Sequence, residues 1–170
     1  CYATGRGVSE NLDKAFQYYR IAAEAGHEKA QFQLGNFYFE GRGNVEQDYA
    51  KAVLWLEKAY HNMDAEDSWQ PAAELAICYQ SGLGIYQDDS MAYDFLSEIE
   101  ENEFLDDVWE PLDAMVLNAL GVAYGFGRGT EQNIPKAIEY FDRAIEYDSE
   151  EAVHNKARFK KNIFGHWKLR

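Results

Sequence analysis

The sequence predicts an all-α protein, a solenoid of about four helix-turn-helix repeats closed by a C-terminal cap. Three observations predict it. First, a Gly-x-Gly pair recurs at Gly5/Gly7, Gly41/Gly43, Gly82/Gly84 and Gly127/Gly129, at steps of 36, 41 and 45 residues, and a period of this length marks a repeat array. Second, a tyrosine stands three residues before each pair, at Tyr2, Tyr38, Tyr79 and Tyr124, preceded in three repeats by Leu34-Gly35, Leu75-Ala76 and Leu120-Gly121. Third, a small residue recurs at Ala15, Ala52, Ala92 and Ala137, with an aromatic at i+3 (Tyr18, Trp55, Phe95, Tyr140) and Ala22, Ala59, Ile99 and Ala144 at i+7. That ladder has the helical period.

Each repeat reads as a hairpin of a helix A and a helix B. In helix A of the second repeat, Ala30, Leu34, Phe37 and Tyr38 share one face. The glycines that follow stop the helix, because glycine enters the left-handed region at little cost. Four residues before each column alanine stand Asn11, Asp48, Asp88 and Asn133, all strong N-cap types for helix B. Pro135 falls in a first turn, where its missing N–H costs little. The repeats lie near residues 1–26, 28–62, 70–101 and 114–147. The first lacks most of its helix A, so the array is expected to continue upstream of Cys1. Longer connections at His61 to Gln70 and Glu100 to Pro111 end in Trp69-Gln-Pro71 and Trp109-Glu-Pro111, which introduce the next helices. Residues 151–170 lose the Gly and Tyr marks but keep helical spacing in Val153, Ala157, Phe164 and Trp167, and are expected to form a basic capping helix. One hairpin cannot bury its own stripe, so the repeats must stack into a single domain.

The residues AQFQLGNFYFEGRGNVEQDYAKAVLWLEKAY, 30 to 60, resemble a Sel-one-like repeat, a hairpin related to the tetratricopeptide repeat. GRGVSENLDKAFQYYRIAAEAG from Gly5, AELAICYQSGLGIYQDDSMAYDFL from Ala73 and NALGVAYGFGRGTEQNIPKAIEYFDRA from Asn118 resemble it too, covering roughly residues 1 to 147. The resemblance implies a right-handed α-solenoid with adaptor, scaffold or inhibitor roles and a protein partner. It also implies that the outer face of helix A lines the concave side. In the second repeat that face is Lys29, Phe32, Asn36, Phe39 and Glu40; in the third, Gln70, Ala73, Ile77, Gln80 and Ser81; in the fourth, Met115, Asn118, Val122, Gly125 and Phe126. The alternative is that Phe32, Phe39 and Phe126 pack against neighbouring helices.

Charge supplies a second candidate surface. The 170 residues carry 16 Lys and Arg against 30 Asp and Glu, a net charge of -14. Such a balance disfavours nucleic acid and anionic membranes as partners, because phosphate binding needs clustered positive charge. With 46% hydrophobic residues the chain can bury a core and does not read as disordered. The acidity is local: residues 59–127 hold 15 acids and no Lys or Arg, while Lys156, Arg158, Lys160, Lys161, Lys168 and Arg170 make the tail basic. The densest run includes Glu100, Glu101, Asp106 and Asp107, interleaved with Phe104 and Trp109. It is either a solvated, self-repelling loop or a docking surface for a basic partner. The two aromatics favour the second, since apolar anchors rimmed by charge suit an interface. On that reading, neutralising the four acids together weakens partner binding and leaves folding intact.

No residue constellation calls for catalysis, a cofactor or a metal. His27, His61, His154 and His166 are scattered, the Gly-x-Gly pairs lack a Gly-Lys-Ser/Thr, and Asp106-Asp107 lies in no Asp-x-Asp-x-Asp-Gly loop. Cys1 and Cys78 share a column two hairpins apart, beyond the reach of a disulfide, and read as small buried residues. The cysteine-rich relatives implied by the resemblance staple each hairpin with a disulfide; that pairing is missing here. The expected function is a non-catalytic protein-interaction module binding a basic protein partner through the helix A face and the acidic segment. A toxin-neutralising immunity protein is its most specific instance. A regulatory or cell-envelope scaffold and a hydrolase acting on a cell-wall ligand are the alternatives. Compartment, cytoplasmic or periplasmic, and oligomeric state stay open.

Overall fold

The computed structural model describes residues 11–64, 67–102, 111–161, 165 and 167–169. Among them the chain forms α1 (Leu12–Glu24), α2 (Glu28–Glu40), α3 (Tyr49–Asn62), α4 (Trp69–Ser81), α5 (Asp89–Glu101), α6 (Pro111–Phe126), α7 (Ile134–Glu146) and α8 (Glu150–Lys156). Two short strands follow, β1 (Phe159–Lys161) and β2 (Trp167–Leu169).

Every expected cap of a B helix is made. Asn11 accepts from the Lys14 N–H, Asp48 from Lys51, Asp88 from Ser90 and Met91, and Asn133 from Lys136, at 2.9 to 3.1 Å. Each bond satisfies a donor that the helix start leaves orphaned. The column tyrosines also work through their backbone: Tyr38, Tyr79 and Tyr124 carbonyls accept from the N–H of Asp48, Asp88 and Asn133 at 2.9, 3.0 and 2.8 Å. One hydrogen bond thus ties the end of each helix A to the cap of its helix B, which sets the hairpin's geometry.

The glycine pair divides its labour. Gly82, with φ 68°, is the left-handed C-cap of α4. Gly84, φ 70°, lies against the start of α3 in the preceding repeat: a Cβ there would sit 2.3 Å from the Tyr49 carbonyl carbon and 2.4 Å from the Ala50 nitrogen. The first glycine turns the chain and the second lets the loop touch the preceding hairpin.

The A helices α2, α4, α6 and α8 and the B helices α1, α3, α5 and α7 form two layers. Each B helix packs against the A helix of the next repeat, and α4 also contacts α6. The column residues Ala52, Ala92 and Ala137 are at most 1% exposed, as are Leu34, Leu75 and Leu120. Tyr18, in the same column as Trp55, Phe95 and Tyr140, is 60% exposed. Tyrosine hydroxyls stitch successive repeats together: Tyr79 donates to Glu57 of α3 at 3.3 Å, and Tyr124 to Glu100 of α5 at 2.7 Å. Cys78 is buried, and burial pushes its thiol up to about 12; Cys1 lies outside the described residues.

The tail departs from expectation. Instead of one helix to Arg170, α8 ends at Lys156 and the chain turns into an antiparallel pair with Phe159 opposite Leu169. Tertiary packing accounts for this: Phe159, 2% exposed, sits beside Phe126 and Phe141 at ring distances of 5.2 and 6.1 Å. It reaches them over Gly125, where a Cβ would come within 2.9 Å of the Phe159 ring. Helical periodicity in 157–170 carried no sign of that contact.

Candidate functional site

The A-helix layer carries a continuous groove of three adjoining hollows. The first, about 510 Å³, lies between α2, α4 and α6, with walls of Phe32, Phe39, Ile77, Leu112 and Met115 and polar groups Asn36, Glu40, Arg42 and Glu74. The second, about 440 Å³, shares Ile77 and Met115 with it and continues past Gln80, Ser81 and Asn118 to the α7–α8 turn. The third, about 400 Å³, adds Val122, Phe126, Arg128 and Arg158. Both ends carry charges of both signs: Glu40, Glu74 and Arg42 at the α2 end, and Arg128, Arg158 and Glu151 at the α8 end.

Most of the residues expected on the outer face of helix A line these hollows, but several of them have internal partners. Lys29 stands at the outer edge of α2 and is paired with Asp67 at 2.9 Å, which raises its pKa. Phe32 is 8% exposed and belongs to the core as well as to the groove wall. Phe39 meets Tyr49 edge-on at 5.4 Å. Gln80 donates to the Ala119 carbonyl at 3.1 Å, tying α4 to α6, and Asn118 accepts from Asn155 of α8 at 3.0 Å. Phe126 lies against Phe159 and against the Arg158 guanidinium, 4.1 Å from its ring centre. Ala73, expected on the open face, is fully buried.

The acidic segment needs correction at Glu100. Its carboxylate is not free: Lys136 pairs with it at 2.6 Å, and the Tyr124 and Tyr140 hydroxyls donate to it. Burial alone would raise its pKa, but these three partners outweigh burial and hold it below the usual carboxylate value. Tyr124 and Tyr140 stack at 5.9 Å, and the Lys136 ammonium lies 4.1 Å from the Tyr124 ring centre. Glu100 therefore joins α5 to α6 and α7, and neutralising it cannot leave the fold untouched. Glu101 is exposed at the end of α5. Phe104, Asp106, Asp107 and Trp109 lie outside the described residues.

The groove also holds an acid that sequence reasoning passed over. Glu74 is 8% exposed. Asn36, with its amide NH2 turned toward α4, donates to both Glu74 oxygens at 2.8 and 2.6 Å. Arg42 is engaged elsewhere, its Nε and Nη2 gripping Glu40 at 2.5 and 2.6 Å. Burial, then repulsion from Glu40, push the Glu74 carboxyl up to about 8, against a smaller pull from Arg42. The available signal was an acid in the column where other repeats have Gln33 and Ala119, but only the packing of α2 over α4 buries it.

Comparison with known proteins agrees with this architecture. The Sel1 repeat family model matches residues 1–27, 28–62, 72–98 and 114–146. Chitin synthase regulatory factor 2 of Schizosaccharomyces pombe is 32% identical over 82 residues, 48% of this chain and 16% of that protein. HRD3B of Arabidopsis thaliana, an ERAD-associated E3 ubiquitin-protein ligase component, is 27% identical over 126 residues, 74% of this chain and 18% of that protein. The chain thus spans less than a fifth of either relative. Among solved structures, c5321, a protective antigen of uropathogenic Escherichia coli strains displaying an SLR fold, superposes with a TM-score of 0.65 at 26% identity, over 89% of this chain and 29% of its own. A Sel1 repeat protein from Oxalobacter formigenes gives 0.62 at 24%, over 89% and 56%, and shows the shared fold. With all four hairpins matched and the same solenoid in its structural neighbours, this chain belongs to the Sel1 repeat family.

Proposed function

We propose that this chain is a non-catalytic interaction module that holds a segment of a basic partner protein in its A-helix groove. Repeats of this family generally mediate protein–protein interaction. The observation that carries the reading is the groove itself: a run of three hollows along α2, α4, α6 and α8 whose centre is apolar. Met115 is 41% exposed there and Ile77 stands half-buried beside it. Exposed apolar side chains flanked by amide and charged groups have the make-up of an interface core with a polar rim. The basic character of the partner is supported by Glu74 at the α2 end, where Glu40 is paired with Arg42, and by the absence of Lys and Arg between residues 59 and 127. The relatives, a chitin synthase regulatory factor and a ubiquitin-ligase component, support an adaptor over the toxin-neutralising instance.

A photo-cross-linking amino acid at position 77 or 115 tests this, with Tyr86, 94% exposed in the loop after α4, as the control position. Cross-links to one protein from 77 and from 115 are expected, the first lost on adding Met115→Arg and the second on adding Ile77→Arg, in variants that keep their helical circular dichroism. Capture from position 86 alone would place the partner elsewhere. An affinity independent of ionic strength would remove the basic character.

A further inference from the structure

Resting on the groove reading above, we propose that the hollow between α2, α4 and α6 is a receptacle for one lysine or arginine side chain of the partner, with Glu74 as its counter-ion. The argument begins with which charges are already satisfied. Arg42 grips Glu40 through two nitrogens, so that pair cancels. Lys29, on the same helix, is held by Asp67. Glu74 is left with hydrogen bonds from the neutral amide of Asn36.

An ionised carboxylate so deeply buried is unfavourable without a cation beside it. The free protein lowers that cost by keeping Glu74 protonated near neutral pH, as its raised titration point reports. An arriving ammonium or guanidinium removes the cost in another way: Glu74 releases its proton to solvent and pairs with the cation. The charged groups facing Glu74 are Glu40 of α2 and Arg42 of the following loop, with the Cys78 thiol one turn along α4. From α6 the hollow receives Leu112 and Met115, which are uncharged.

The walls suit the rest of such a side chain. Phe32, Phe39 and Ile77 offer apolar surface to the methylene stem that a lysine or arginine buries below its charged head. Phe39 also offers an aromatic ring, the surface on which a guanidinium stacks. The hollow's 510 Å³ leaves room for the side chain and the backbone carrying it. No Lys or Arg of α4, α5 or α6 can fill it, because those helices contain none.

The test uses three probes on the intact chain: the Nα-acetyl methylamides of arginine, lysine and norleucine. Carboxyl carbon-13 resonances of glutamate and the Asn36 side-chain amide are followed by NMR. The basic probes are expected to move the Glu74 and Asn36 signals and to lower the titration point of Glu74. Their affinity should weaken about tenfold per pH unit below that point, because they bind the ionised form. Glu74→Gln should lose that pH dependence and about tenfold or more of the affinity for the basic probes, while leaving norleucine unchanged. Three results overturn the proposal: norleucine binding as well as arginine, no shift at Glu74 with basic probes at about 20 mM, or full basic-probe affinity in Glu74→Gln. The cross-linking experiment separates the two readings. A partner that cross-links at Ile77 equally in wild type and Glu74→Gln overturns the counter-ion and keeps the groove. Probe binding at Glu74 without any partner cross-link in the groove keeps the pocket and overturns the groove reading.

Discussion

Replacing Glu74 with glutamine removes one buried titratable group while preserving its shape and one of its two hydrogen bonds from Asn36. In the folded chain the carboxyl titrates near 8, against 4.5 when unfolded. The folded state therefore holds its proton more tightly, and wild-type stability falls as pH rises from about 4.5 to about 8, then levels. At about 1.4 kcal/mol per pH unit, the ceiling on that loss is about 5 kcal/mol. Exposure of 8% leaves little solvent screening to discount, so the loss approaches that ceiling. Urea unfolding followed by circular dichroism at intervals from pH 5 to 9 measures it, with a constant slope confirming comparable states. Glu74→Gln should gain on wild type steadily through this range, from under about 1 kcal/mol at pH 5 to about 4 to 5 kcal/mol at pH 8.5. All other titrating groups are shared and cancel in the difference. A gain independent of pH, or one that shrinks as pH rises, would show that Glu74 does not titrate in this window and would refute the reasoning.

Glu100→Gln should cost about 1 to 3 kcal/mol by urea unfolding at pH 7, since it breaks the Lys136 pair and weakens two tyrosine bonds. Because the folded pKa of Glu100 is depressed, its contribution is present at neutral pH and fades as pH falls through its titration, so the deficit should narrow in acid. Gly84→Ala should cost at least about 3 kcal/mol, because the loop must leave α3 to admit a methyl group. Gly26→Ala, with φ 93° and open space around it, should cost only the backbone strain of about 1 kcal/mol; equal costs in calorimetry would refute the close-approach account. Phe159→Ala should destabilise by about 3 to 5 kcal/mol and lower the melting temperature, given its buried contacts with Phe126 and Phe141. An unchanged melting temperature would mean that the hairpin is not part of the core.

The face of the groove was legible before its chemistry was. Asn36, Phe39, Gln80 and Asn118 could be placed on it because they stand at helical spacing opposite the Leu34, Leu75 and Leu120 columns. Glu74 was not legible: it neighbours those columns, and nothing in its own helix says that Asn36, Glu40 and Leu112 will close over it. Glu100 illustrates the converse. A run of acids in the sequence reads as one surface, yet Tyr124, Tyr140 and Lys136, 24 to 40 residues away, take this one inward.

By itself the sequence determined the hairpin: the N-caps, the glycine turn and the alanine ladder are local rules, read within a few residues, and the described residues follow them. It also determined that hairpins must stack, since no single one buries its stripe. Tertiary structure alone decided which polar groups end up inside and what the tail becomes. Burial and charge pairing depend on residues from three helices meeting in space, so a buried acid at Glu74, an ion pair at Glu100 and a hairpin anchored by Phe159 have no local signature. Those three contacts separate this solenoid from a generic array of repeats.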